Sequence, residues 1–399
     1  MCRPHWDSTV RIGWSSASGS RHGDPQAPRV DHALQLNHPA TTALLSGGRK
    51  LAGDANDGGR SVGDSGAAIH RRMNGDTLPG RDTKDRIWLN VLLFALTAYT
   101  TTTAGTQMAV GMLLAVSPES IPRDLHSTDL LWRPKYLVLG LPFSGTLLLI
   151  LGIHEMGHYL TSRRWMVRAT LPYFIPFPSF IGTLGAVIKI RSRIPNRRAL
   201  MDIGASGPLA GFIVAVLALI VGLHLSEIVP VSTFAAGGIS LGNSILGGWL
   251  TNQIIGDLPE GLAIYDHPIF VAGWLGLFVT ALNLMPVGQF DGGHIVYAFG
   301  GARIHALVSK AALVLLGGMW ALGPPYDWLY VQDRVSTWLD TRWPGWLIWI
   351  LIALALGRRH SPTGDPDLVL DPFRKLLGYL SLIIFVLCFV PRPISFAVP

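Results

Sequence analysis

Residues 151–160 read L-G-I-H-E-M-G-H-Y-L. They lie within an apolar stretch, 136–160, long enough to cross a bilayer as a helix of ~20 residues. Three ionisable groups in such a place each cost on the order of 2.5–3.5 kcal/mol at the bilayer centre, so something must repay them. On a helix, positions i and i+4 are about 40° apart around the axis, which puts His154 and His158 on one face. Two neutral imidazoles can there share one metal ion, while Glu155 flanks them and can take a proton from water without ligating the metal. This is the H-E-x-x-H spacing of zinc hydrolases. The competing reading is a histidine pair packed against a polar cavity or a proton path.

Composition supports a membrane setting. Of 399 residues 49% are apolar and only 14% charged. The formal charge of +7 fits a positive-inside bias, since the arginines gather at span ends, and no nucleic-acid partner is expected. Cys2 and Cys388 are the only cysteines, so a disulfide framework is excluded and any metal must be held by His, Asp or Glu.

Residues 1–86 carry no apolar run and no periodicity, and are expected to form a disordered cytosolic tail. Apolar runs then suggest spans at 87–116, 136–160, 203–225, 268–300, 306–322, 343–356 and 376–390. Arg81, Lys84 and Arg86 before the first span, and Arg163, Arg164 and Arg168 after the second, place the N-terminus in the cytosol. Between the second and third spans, four prolines from Pro172 to Pro195 forbid a continuous helix, and 183–190 reads as a β-branched strand, half of a short membrane-associated hairpin. In the third span, G-P-L-A-G (Gly207 to Gly211) lets another helix approach closely. The weakly apolar 239–255 segment reads as a surface or re-entrant helix. The expected fold is therefore an all-α polytopic membrane protein of about 6–7 transmembrane helices with one short β-hairpin. Its core should be residues 87–300, followed by additional helices in 301–399.

Catalytic zinc usually has three protein ligands and an open position. Asp291 is the only acidic residue of the 268–300 span, and Pro286, Gly288, Gly292 and Gly293 around it break the helix. Irregular backbone at membrane depth is tolerated where it lines a cavity, so Asp291 is the expected third ligand beside His154 and His158.

H-E-M-G-H (His154 to His158) followed by N-L-M-P-V-G-Q-F-D-G-G (Asn283 to Gly293) resembles the site-2 protease family of intramembrane zinc metalloproteases. The G-T-L-G-A stretch from Gly182 and the G-P-L-A-G span share in the likeness, which covers roughly 136–300. The resemblance implies one catalytic Zn2+ on His154, His158 and Asp291, with Glu155 as the catalytic base. It also gives Asn283 a role near the scissile carbonyl or in holding its loop. It further implies a transmembrane protein substrate in the lipid bilayer, such as a membrane-bound anti-sigma factor, and a multi-pass protein of the bacterial cytoplasmic membrane. No PDZ-like domain fits between the motifs and no terminal CBS pair is visible. Two other classes stay open: an inactive metal-binding scaffold, and an ion transporter built on broken helices.

Overall fold

The computed structural model describes residues 86–117, 119, 132–234, 239–323, 343–355, 363–365 and 368–396. The tail expected at 1–86 lies outside these, apart from Arg86. Helix α1 is Ile87–Val116. A short turn, Pro134–Leu137, and a 3-10 turn, Val138–Gly140, lead into α2, Leu141–Arg164. Then follow strands β1 (Tyr173–Pro176) and β2 (Thr183–Val187), and helix α3 (Arg197–Leu225). Beyond α3 lie β3 (Glu227–Pro230), β4 (Ile239–Leu241), α4 (Ile245–Ile254) and β5 (Leu262–Tyr265). Helices α5 (Pro268–Asn283), α6 (Asp291–Leu322), α7 (Gly345–Ala355) and α8 (Pro372–Cys388) and strand β6 (Ile394–Phe396) complete the described chain.

Among the described residues four helices are long and apolar enough to cross a membrane, Ile87–Val116, Pro134–Arg164, Arg197–Leu225 and Asp291–Leu322, the last of them broken at Gly301 so that its length is shared between two segments. Pro268–Asn283 and Gly345–Ala355 are shorter apolar helices. At 1.5 Å per residue α5 is only about 24 Å long, less than a hydrocarbon core. The chain continues past it through a non-helical bend, residues 284–290, into α6.

Helix α3 is the hub, packing against α2, α5 and α6. Its side chains explain why. Gly207, Gly211, Ala215, Ala218 and Gly222 recur at three- and four-residue spacing and are buried, which removes the bulk that keeps helix axes apart. A Cβ on Gly273 of α5 would sit 2.7 Å from the Leu219 nitrogen, and one on Gly222 would sit 2.3 Å from the Phe270 nitrogen, so backbone meets backbone along this contact. Helix α2 buries Phe143, Leu147, Ile150, Leu151, His154, His158 and Ser162, a stripe at helical spacing whose lower half is polar. Asn196 caps α3 by accepting the Ala199 N–H at 2.9 Å.

Strands β1 and β2 pair antiparallel, Tyr173 opposite Val187 and Pro176 opposite Thr183. Helix α1 holds both ends of this hairpin. Asn90 Nδ2 donates to the Leu171 and Pro172 carbonyls at 3.1 and 2.9 Å, and Thr100 Oγ1 donates to the Gly182 carbonyl at 2.7 Å. Gly182 has φ +83°, and a side chain there would lie 2.5 Å from the Thr100 oxygen, so the turn accepts only glycine.

Two further antiparallel pairs were not anticipated from sequence, so the expectation of a single hairpin is incomplete. Strand β3 pairs with β5, and β4 pairs with β6 from near the C-terminus, Ile239 opposite Phe396. The expected helix at 239–255 is thus a strand followed by a ten-residue helix capped by Ser244. The run expected to span 306–322 on its own is joined to Asp291 through Gly301, whose φ of +69° and ψ of −169° are non-helical and kink α6.

The later helices are fastened to the hub by charge as well as by packing. Arg374 of α8 donates to Asp202 of α3 through Nε (2.9 Å) and Nη2 (2.7 Å) and also pairs with Asp371. Trp165 Nε1 donates to the same Asp202 carboxylate at 3.0 Å. Arg197 reaches the Ala298 carbonyl at 2.7 Å and the Phe299 carbonyl, tying the start of α3 to α6.

Candidate metal centre

His154 and His158 leave α2 on its buried face, one turn apart, with ring centroids 4.9 Å apart. The ring of His158 is held from behind: Nδ1 donates to the Ile203 carbonyl at 2.7 Å. That bond fixes the tautomer and leaves the Nε2 lone pair aimed at His154, a support typical of metal-binding imidazoles. The two Nε2 atoms are 3.2 Å apart. Asp291, at the first position of α6, brings Oδ2 to 3.1 Å from His158 Nε2 and 3.6 Å from His154 Nε2.

The G-P-L-A-G motif explains how the rings fit beside α3. A Cβ on Gly207 would fall 2.1 Å from His158 Nε2, and one on Gly211 would fall 3.1 Å from His154 Nδ1. Facing them, a Cβ on Gly157 would meet the Ser206 carbonyl oxygen at 2.7 Å. The helix closely approached by these glycines is the one bearing the histidines.

The bend at 284–290 delivers Asp291. Its glycines are structural requirements. Gly288 has φ +56°, a Cβ on Gly292 would overlap the Leu284 oxygen at 1.9 Å, and one on Gly293 would lie 2.4 Å from the Gly288 oxygen. The bend is folded tightly on the first turn of α6. Met285 and Val287 are buried against Leu316, Met319 and Trp346, so α6 and α7 wall the bend from outside.

The three donor atoms lie within 4.8 Å of one another. Zinc held at 2.0–2.2 Å by imidazole nitrogen and carboxylate oxygen has ligand-to-ligand edges of about 3.3 Å in a tetrahedron. The separations of 3.1, 3.2 and 3.6 Å match one face of that figure, and an N2O donor set suits zinc. The residues present therefore fit a zinc ion.

Glu155 is buried beside the imidazoles, and its carboxyl accepts a hydrogen bond from the Ile188 backbone N–H, just beyond β2. Asn283, the last residue of α5, directs Nδ2 to 3.1 Å from His154 Nε2. All five residues singled out in the sequence are thus gathered at one place. His305 and Ser309, described below, were missed. His305 falls between the spans expected at 268–300 and 306–322 and Ser309 at the start of the second, with Arg303 and Lys310 beside them, so they read as span-end residues and only their i, i+4 spacing distinguishes them.

Residues 142–321 match the model of Peptidase family M50, the site-2 protease family. Over that stretch, a little under half of its length, the chain is similar to that family. Among named proteins it is similar to Probable zinc metalloprotease EGY2, chloroplastic, of Arabidopsis thaliana, 28% identical over 64% of this chain and 43% of the relative. Probable zinc metalloprotease EGY1, chloroplastic, of the same plant is 28% identical over 78% of this chain and 54% of the relative. The EGY2 protein of Oryza sativa subsp. indica is 34% identical over 42% and 31%. The chain spans about half the length of these relatives or less.

Proposed function

We propose that this protein is an intramembrane zinc metalloprotease that hydrolyses peptide bonds within or near transmembrane helices of membrane-tethered proteins. One observation carries the reading: two imidazoles from one apolar helix and a carboxylate 133 positions later meet with tetrahedral edge lengths, beside a buried glutamate. The expected protein crosses the membrane six or seven times with its N-terminus in the cytosol. The arginine-rich ends of α2 and α3 favour that orientation.

In this reading His154, His158 and Asp291 hold the ion and Glu155 is the catalytic base. Bound there, zinc would supply Lewis acidity toward a carbonyl oxygen and toward water. The Glu155 carboxylate is placed to accept a proton from an attacking water and to return it to the departing amine nitrogen. His158 stays oriented throughout because its Nδ1 proton is committed to Ile203. The Asn283 amide N–H, already directed into the site, serves the carbonyl of the bond to be cut or steadies the bend.

A transmembrane substrate shields its peptide bonds within helical hydrogen bonds and must unwind to be cut. The hairpin offers it a partner. Leu184 and Val187 of β2 are exposed, and the backbone just past β2 contacts Glu155, so a strand added to this edge would pass the base. Val187→Pro is expected to lower cleavage at least tenfold with zinc content unchanged; unaltered cleavage would remove β2 from the mechanism. The family reading points to regulated release of a membrane-bound regulator, an anti-sigma factor being one chemical type of client.

The direct test uses the purified full chain and a single-span membrane protein. Cutting should cease on chelation and return with added zinc. A chain that holds zinc but cuts no membrane peptide would be an inactive scaffold instead.

A further inference from the structure

The bend before Asp291 has a support of its own, on the far side of the kink. In a straight helix His305 would lie about 21 Å beyond Asp291. Yet its Nε2 is 2.9 Å from the Gly288 carbonyl oxygen, and its ring meets Tyr297 edge-on at 6.0 Å. The break at Gly301 folds the second half of α6 back along the first, bringing His305 to the bend. Ser309, one turn further, donates to the Pro286 carbonyl at 3.2 Å. Both side chains are 1% exposed.

Pro286 and Gly288 flank Val287, which is fully buried. In a continuous helix their carbonyls would accept N–H groups four residues on; here the bend turns them toward α6, where His305 and Ser309 supply donors. The Gly288 oxygen also lies against the α6 turn that carries the carboxylate, as the 2.4 Å approach to a Cβ on Gly293 records. Movement of that carbonyl is therefore movement of Asp291.

We infer that His305 and Ser309 are positioning residues, which hold the 284–290 bend by its Gly288 and Pro286 carbonyls and thereby place the Asp291 carboxylate at the ligand site. The inference rests on the reading of His154, His158 and Asp291 as the metal centre. It makes no use of His305 as an acid or base: Nε2–H acts only as a donor to a carbonyl.

The test loads the purified full chain with cobalt(II), recording its visible absorption, and measures affinity by chelator competition. His305→Phe keeps the ring volume and removes the donor; His305→Gln keeps a donor and loses the ring. Phenylalanine should weaken metal binding about 10- to 100-fold, the range for losing a supporting partner, and change the cobalt spectrum. Glutamine should restore most of both. A packing role demands the reverse order, and finding it would overturn the proposal. Ser309→Ala, which removes little volume, should weaken binding about 3- to 10-fold and decides the matter if the phenylalanine variant does not fold. Parent-like affinity and spectrum in Ser309→Ala would then sink the assignment. Absence of a tetrahedral cobalt spectrum in the parent would overturn the metal reading and this inference with it, an outcome distinct from a parent-like His305→Phe.

Discussion

Adding one methyl group at Gly207 is expected to disable metal binding while leaving the helices intact. The alanine Cβ would fall 2.1 Å from His158 Nε2 and 2.3 Å from its Cδ2, well inside contact distance. The ring has little freedom to withdraw, because Nδ1 is bonded to the Ile203 carbonyl. The helices cannot part without opening the Gly157–Ser206 contact. Overpacking a close contact costs about 1–3 kcal/mol, and here the strain falls on the nitrogen proposed to ligate the ion. Zinc affinity in Gly207→Ala should drop about 100-fold, equivalent to about 2.7 kcal/mol, with unchanged helical circular dichroism. Gly211→Ala, whose Cβ would lie at 3.1 Å from His154, should cost much less. An alanine at 207 that binds zinc as tightly as the parent would mean that the α2–α3 approach does not shape the site.

The second large effect separates binding from chemistry. Glu155→Gln preserves size and hydrogen bonding to Ile188 through its carbonyl oxygen but cannot accept the water proton. Cleavage of a single-span substrate should fall about 10²–10⁴-fold, the usual worth of a positioned general base, while zinc remains bound. Retained turnover would show that another group takes the proton and that Glu155 serves packing alone.

Why these residues were readable from sequence, and others not, follows from the range of the forces involved. His154, Glu155 and His158 stand out because helical geometry is local and apolar surroundings make each polar group conspicuous. Asp291 is legible for a related reason: proline and glycines cannot be accommodated in a continuous span without a purpose. Gly207 and Gly211 announced a close neighbour, though only the three-dimensional arrangement identifies it as the histidine-bearing helix. The pairing of β4 with β6 could not be read at all. Three-residue strands carry no useful period, and their register is set by groups more than 150 positions away. The break at Gly301 falls where the apolar runs end at 300 and resume at 306, so its place was legible; its angle was not, since a glycine there suits a loop between spans as well as a sharp reversal.

One mechanical consequence remains in how α1 grips the hairpin. Asn90 and Thr100 hold opposite ends of the β1–β2 unit through three carbonyl oxygens, so hairpin and helix are tied together as one piece. Sideways travel of α1 would drag the β2 edge along with it. Under the proposed function, admission of a guest helix past α1 and presentation of the strand that straightens it would therefore be one motion, not two that must be separately timed.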